Sequence, residues 1–288
     1  MEPAATPFVG SEALENGRVA NKHQLRTRYN ALFPDVYLPK GVTPTLWQRT
    51  FGAWLWSRRE GVVSGLAAAA MHGTKWVADG VPIDVTWGNG RPPRGIVTRR
   101  GRLLADEYVG EFIKVTTPAR TGYDLGRWSR GDAAVARLDA LGNATGVTAS
   151  EIIAVAANHP GAPNVSRLKG ALALYDAGAQ SPKETWLRLL LIRAGYPTPQ
   201  TQIPVDRGGG LFYYLDMGWE EVMVAVEYDG DHHRSDRPQY VKDIRRSDEI
   251  ADLGWRRVRV VAEDRPAEIL HRVARAWASS VQRDRKIG

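Results

Sequence analysis

The chain has no cysteine among its 288 residues. That excludes disulfides, thiolate nucleophiles and cysteine-ligated zinc or iron–sulfur centres. It also lacks any apolar run near the ~18 residues a membrane span requires. The first residues show no basic-then-apolar leader pattern. The expected compartment is therefore the cytoplasm, with no membrane partner. No internal repeat and no low-complexity stretch is present. Acid excess is missing too, since the formal net charge is +7.

The positive charge is uneven. Residues 1–178 hold 21 Lys and Arg against 15 Asp and Glu, whereas residues 179–288 hold 18 against 17. A basic front part beside a nearly neutral, acid-cored back part suits a phosphate-backbone partner; simple solubilising charge is the plainer alternative. The length allows two or three domains. The patterning divides them as 1–60, largely helical; 61–178, an α/β domain; and 179–288. Overall an α/β (α+β) protein is expected.

The back part reads most clearly. Ser181-Pro182-Lys183-Glu184 has the form of a capping box with Pro in the first helical turn, and Gly195 ends that helix. Strands follow over Gln202–Val205, Leu211–Trp219 and Val222–Tyr228, with a two-residue turn at Glu220-Glu221. A helix over about Gln239–Leu253, a strand over Trp255–Val261 and a last helix from Pro266 complete the order. With that turn, Asp216 faces Ala225 and has Glu227 as its diagonal neighbour, so Asp216, Glu227 and Asp229 share one sheet face. Clustered carboxylates repel unless a cation lies among them, and oxygen ligands of this kind select Mg²⁺ or Mn²⁺. Asp243 and Arg246, three apart on a helix, either form a surface ion pair or serve the same site.

These pieces resemble the PD-(D/E)xK nuclease superfamily, and within it the endonuclease-like domains related to the very-short-patch repair endonucleases. The residues that carry the likeness are Ser181–Glu184, Asp216, Val226-Glu227-Tyr228-Asp229-Gly230, His233, Asp243, Arg246 and Gly254-Trp255 with Val258-Arg259-Val260. The resemblance implies a restriction-endonuclease-like αβββαβ core and Mg²⁺- or Mn²⁺-dependent cleavage of DNA. Asp216, Glu227 and Asp229 would bind metal, His233 would move a proton, Arg246 would support the phosphate, and Glu184 would either add to the metal site or only close its helix cap. One departure is plain: the superfamily's Lys two residues after the second acid is Asp229 here.

Two front segments, Ser64–Gly73 and Thr116–Leu125, resemble abortive-infection type IV antitoxins and related regulators. That likeness implies a reduced winged helix, with His23–Leu32 as recognition helix and Phe33–Pro39 as wing. It also supplies the rival function: a non-catalytic DNA-binding regulator or antitoxin of a toxin–antitoxin or phage-defence system, using a degenerate nuclease fold beside a cognate toxin. Arg26, Arg28, Arg91, Arg94, Arg99, Arg100 and Arg102 are the expected nucleic-acid contacts, five of them within the loop 90–102.

Overall fold

The computed structural model describes residues 5–88, 90–230 and 237–287, with the backbone alone for 237–242 and 281–287. It divides into two units, Met1–Tyr175 and Asp176–Gly288. Both mix helices with sheets, as the patterning predicts.

The first unit opens with β1 (Phe8–Val9), α1 (Gly10–Glu15), α2 (Lys22–Arg28), β2 (Tyr29–Phe33), β3 (Val36–Pro39) and α3 (Leu46–Trp56). The strands form an antiparallel sheet in the order β1-β3-β2. The expected helix over His23–Leu32 is therefore corrected. It ends at Arg28, and Tyr29–Phe33 pairs with β3 instead. Tertiary pairing wins here: Ala31 registers with Tyr37, and Phe33 enters the core at 5% exposure.

A five-stranded mixed sheet follows, in the order β6-β5-β4-β8-β7. It consists of β4 (Val62–Ser64), β5 (Ile83–Thr86), β6 (Ile96–Arg99), β7 (Tyr108–Val109) and β8 (Val115–Thr116), with α4 (Gly65–Met71) after β4. Ser64 precedes α4 but does not cap it; its hydroxyl instead accepts from Thr86 Oγ1 at 3.3 Å. Phe33, Trp54, Val63, Ile83 and Val85 share one core, so the segments before and after residue 60 are built around the same interior.

Helices α5 (Pro118–Trp128), α6 (Asp132–Thr145), α7 (Ala149–Ala157) and α8 (Val165–Leu172) complete the unit. Thr117 caps α5 by accepting from Arg120 N, and Pro118 fits the first turn because it has no N–H to leave unpaired. Neighbouring helices come very near α5. A Cβ at Gly122 would lie 2.7 Å from Ile152 Cδ1, and one at Gly126 would lie 2.3 Å from Leu168 Cδ1.

The second unit runs α9 (Pro182–Arg193), β9 (Gln200–Asp206), β10 (Phe212–Trp219), a 3-10 turn (Glu220–Val222), β11 (Val224–Tyr228), α10 (Arg237–Asp252), β12 (Arg256–Val260) and α11 (Pro266–Ile287). Its sheet has the order β12-β11-β10-β9. β11 and β12 are parallel, and the other pairs are antiparallel. One face packs Met217, Trp219, Val224, Val226, Val258 and Val260 against Leu187 and Leu191 of α9 and Ile269 and Val273 of α11. The opposite face packs Ile203, Val205, Leu215 and Ala225 against Ile250 of α10 and Trp255.

The β10–β11 connection differs from the expected two-residue turn. The chain makes a 3-10 turn and then places Met223 in the left-handed region at φ 50°. Met217 consequently registers with Val226, and Gly218 with Ala225. Continuing that register sets Asp216 opposite Glu227 rather than opposite Ala225. The shift is two residues, so the shared face survives while the acids become direct rather than diagonal neighbours.

No single helix among the described residues is long and apolar enough to cross a membrane.

Candidate active site

The acids converge where the sheet changes face. Along β10, Leu215 packs on the α10 side and Met217 on the α9/α11 side, although residues two apart on a regular strand share a face. Gln202, which register places across from Asp216, has φ 50°. This left-handed residue locally disturbs the pleat. The handover leaves Asp216 half-buried, with Oδ2 accepting from Tyr228 N at 2.9 Å.

Glu227 is 7% exposed and lies between two guanidinium groups. Arg246 Nη2 donates to its Oε1 at 3.0 Å, and Arg257 Nη1 lies 2.9 Å from its Oε2. Arg246 reaches in from α10 and also donates to Tyr214 O at 2.8 Å. Glu184 closes the group from α9. It accepts from Gln180 N at 2.8 Å and Ser181 Oγ at 2.9 Å, while its own N–H donates to Ser181 Oγ. The expected cap therefore forms, and the same carboxylate also acts on the site. The Asp216 carboxyl is pushed up to about 7, first by burial and then by the negative charges of Glu184 and Glu227. Burial likewise raises the Glu184 carboxyl.

A cleft of about 200 Å³ opens over these groups, lined by Asp216, Glu227, Tyr228, Asp229, Asp243, Arg246, Arg257 and Arg259. Asp229 sits at its rim, paired with Arg259. The structure thus gathers five of the six expected catalytic residues: Glu184, Asp216, Glu227, Asp229 and Arg246. His233 lies outside the described residues. Sequence reading missed Arg257 and Arg259 as site residues. The alternation Arg257-Val258-Arg259-Val260 carried the signal, because it aims both arginines away from the valine-filled core.

As they stand, no three His, Asp or Glu side chains among the described residues are placed to ligate one metal ion. The fit to Mg²⁺ rests on a smaller set. Magnesium commonly takes one or two carboxylates and completes its shell with water and phosphate oxygens. Asp216 and Glu227, aligned and mutually repelling, fit that requirement once the arginines turn aside.

The expected nucleic-acid arginines of the first unit divide. Arg26, Arg28, Arg91, Arg94, Arg100 and Arg102 are exposed. Arg99 is engaged within the unit although partly exposed: its Nε lies 2.7 Å from Asp84 Oδ1, and its guanidinium stacks 4.2 Å over the Trp128 ring.

This unit also buries a charge network, in which the helical i,i+4 spacing of Arg120 and Asp124 is joined by two remote residues. Arg120 pairs with Glu107 and, at 3.0 Å, with Asp124; Glu107 also meets His159 Nε2 at 2.5 Å. Burial pushes the Asp124 carboxyl up to about 6, against the pull of Arg120 and Arg127.

Over 182 residues the chain is 29% identical to an uncharacterized protein of Mycobacterium tuberculosis (strain CDC 1551 / Oshkosh), covering 60% of this chain and 67% of the relative. An uncharacterized protein of the H37Rv strain matches to the same extent. No protein-family model matches the chain. No solved structure matches it either.

Proposed function

We propose that the second unit is a nuclease of the restriction-endonuclease-like type, binding Mg²⁺ or Mn²⁺ through Asp216 and Glu227 and hydrolysing phosphodiester bonds in DNA. One observation carries the reading: Asp216 and Glu227 stand opposite each other on β10 and β11 at one cleft, and the charges of Glu184 and Glu227 help burial to raise the Asp216 carboxyl. A hydrophobic core gains nothing from three crowded acids, and a divalent cation relieves their repulsion. The bound ion would supply an acidified water and neutralise charge on the phosphate.

The chain's own groups do the rest. Arg246 and Arg257 leave Glu227 and donate to phosphate oxygens, where their charge opposes the negative charge that builds up during displacement. Asp229 stands where the resembled superfamily has Lys, and its charge is wrong for that task. Arg257, delivered by β12 to Glu227 Oε2, supplies a cation from the adjacent strand instead. His233 is the proposed proton acceptor for the attacking water.

A second reading, the DNA-binding regulator or antitoxin with a cognate toxin, is favoured by one specific feature. Both oxygens of Glu227 already have guanidinium partners, so the site can be neutral without metal. Incubation of the protein with supercoiled plasmid and Mg²⁺ or Mn²⁺ separates the two. Nicking that requires metal and is lost in both Asp216→Ala and Glu227→Ala establishes the nuclease. Intact plasmid that the wild-type protein still retards on a gel selects the regulator.

A further inference from the structure

β12 is the edge strand of its sheet, next to the candidate active site. Arg256 N donates to Met223 O, and Asp229 N donates to Val260 O. Residues 256 and 260 therefore turn their backbone groups toward β11, and by strand alternation Arg257 and Arg259 turn theirs outward. An open strand edge of this kind invites pairing with another chain. Here it carries a fringe of cations. A groove runs along it, and among the described residues its charged lining is Arg256, Arg257, Arg259, Arg272 and Arg275, with no acid. Positions 272, 275, 276 and 279 are spaced to share one side of α11.

Two of the arginines belong to both places. Arg257 and Arg259 line this groove and the acidic cleft alike. Arg272 is braced: its Nη1 donates to Arg259 O at 2.8 Å, and its Nη2 pairs with Asp264. Arg256 and Arg275 have no acidic partner recorded among the described residues.

We propose that this edge groove holds the phosphodiester backbone of a nucleic acid and leads it into the cleft, with Arg256 and Arg275 as phosphate contacts beyond the cleavage point. The proposal rests on the nuclease reading of the adjoining cleft, and it moves the main electrostatic footprint from the basic loop of the first unit to the second unit. Charge decides the occupant. A second copy of the chain would set arginines against arginines across the paired edges, which is repulsive. A protein partner needs a buried apolar anchor, and among the described residues Ala276 is the only apolar side chain in the lining that is not buried. Regularly spaced phosphates match a row of guanidiniums backed by outward N–H groups.

The test uses the full-length protein and a fluorescein-labelled DNA duplex in EDTA, with anisotropy read across a salt series. The Arg256→Gln/Arg275→Gln pair is expected to weaken binding at least tenfold near 0.1 M salt. It should also flatten the slope of log K against log salt by about 1.8, near 0.9 per phosphate released. Arg256→Lys/Arg275→Lys should restore most of both. Unchanged affinity and slope in the Gln pair overturn the proposal. So does a loss confined to Arg94→Gln/Arg100→Gln, which would return the footprint to the first unit, or a loss of polyglutamate binding with DNA binding intact. The plasmid assay keeps the two claims separate. Groove-dependent DNA binding without metal-dependent nicking removes the nuclease and leaves the groove; nicking indifferent to the Gln pair does the reverse.

Discussion

The two units bury charge in opposite ways. In the first, Arg120, Glu107, Asp124 and His159 form a closed set whose side chains are 10% exposed or less. In the second, Glu227 and its partner Arg257 are equally buried, but its other partner Arg246 is 35% exposed and the neighbouring Arg259 is 50% exposed. The first network ties the turn before β7 to α5 and to the residues after α7. The second faces a cleft. A buried ion pair is thus not a site by itself; what distinguishes one is whether the partners have somewhere else to go.

The comparison can be broken most forcefully at Arg120. Replacing it with Met removes the shared cation of Glu107 and Asp124 and leaves Glu107 with His159 and Asp124 with Arg127 at 3.7 Å. The expected cost is about 3–5 kcal/mol, read from urea unfolding of the first unit. A cost below 1 kcal/mol would mean that this network is as replaceable as a surface one.

Asp216 should behave oppositely. Its carboxyl lies above the unfolded-state value, so its contribution to stability is complete at low pH, diminishes as pH rises past the usual aspartate value near 4, and is gone above about 7. Asp216→Asn should therefore stabilise the metal-free protein at pH 8, on the order of 1 kcal/mol after allowing for solvent screening of a half-exposed group. It should also remove the last part of the fall in thermal midpoint, the part that closes near pH 7. A destabilised Asn variant at pH 8 would contradict the crowding argument.

The smallest effect belongs to the rim. Arg259→Gln loses an exposed pair with Asp229, and its stability in urea should change by less than about 1 kcal/mol. A larger loss would show that the rim is part of the scaffold.

How much of this was legible depended on distance along the chain. Local signals read well: the Ser181–Glu184 cap, the Thr117-Pro118 helix start and the valine alternation of β11 are set by neighbours. The errors came where partners are remote. Tyr29–Phe33 continues a helical pattern, yet β3 draws it into a sheet. Glu220-Glu221 looks like a tight turn, yet Met223 at φ 50° lengthens it and resets the register. Arg257 reaches Glu227 only because β12 pairs in parallel with β11 across an intervening helix. Gln202 gave no sign of its conformation, since glutamine is not a residue that favours positive φ.

The grip of Arg246 and Arg257 on Glu227 has one more consequence. A cation that takes the carboxylate must release the guanidiniums, and an anion that takes the guanidiniums must release the carboxylate. Each therefore prepares the place of the other. The two ligands are linked by a coupling free energy that is the same from either side: phosphate should raise the affinity for metal by the factor by which metal raises the affinity for phosphate. On the proposed nuclease reading, a site built this way would rest while empty and respond most strongly when metal and phosphate arrive together.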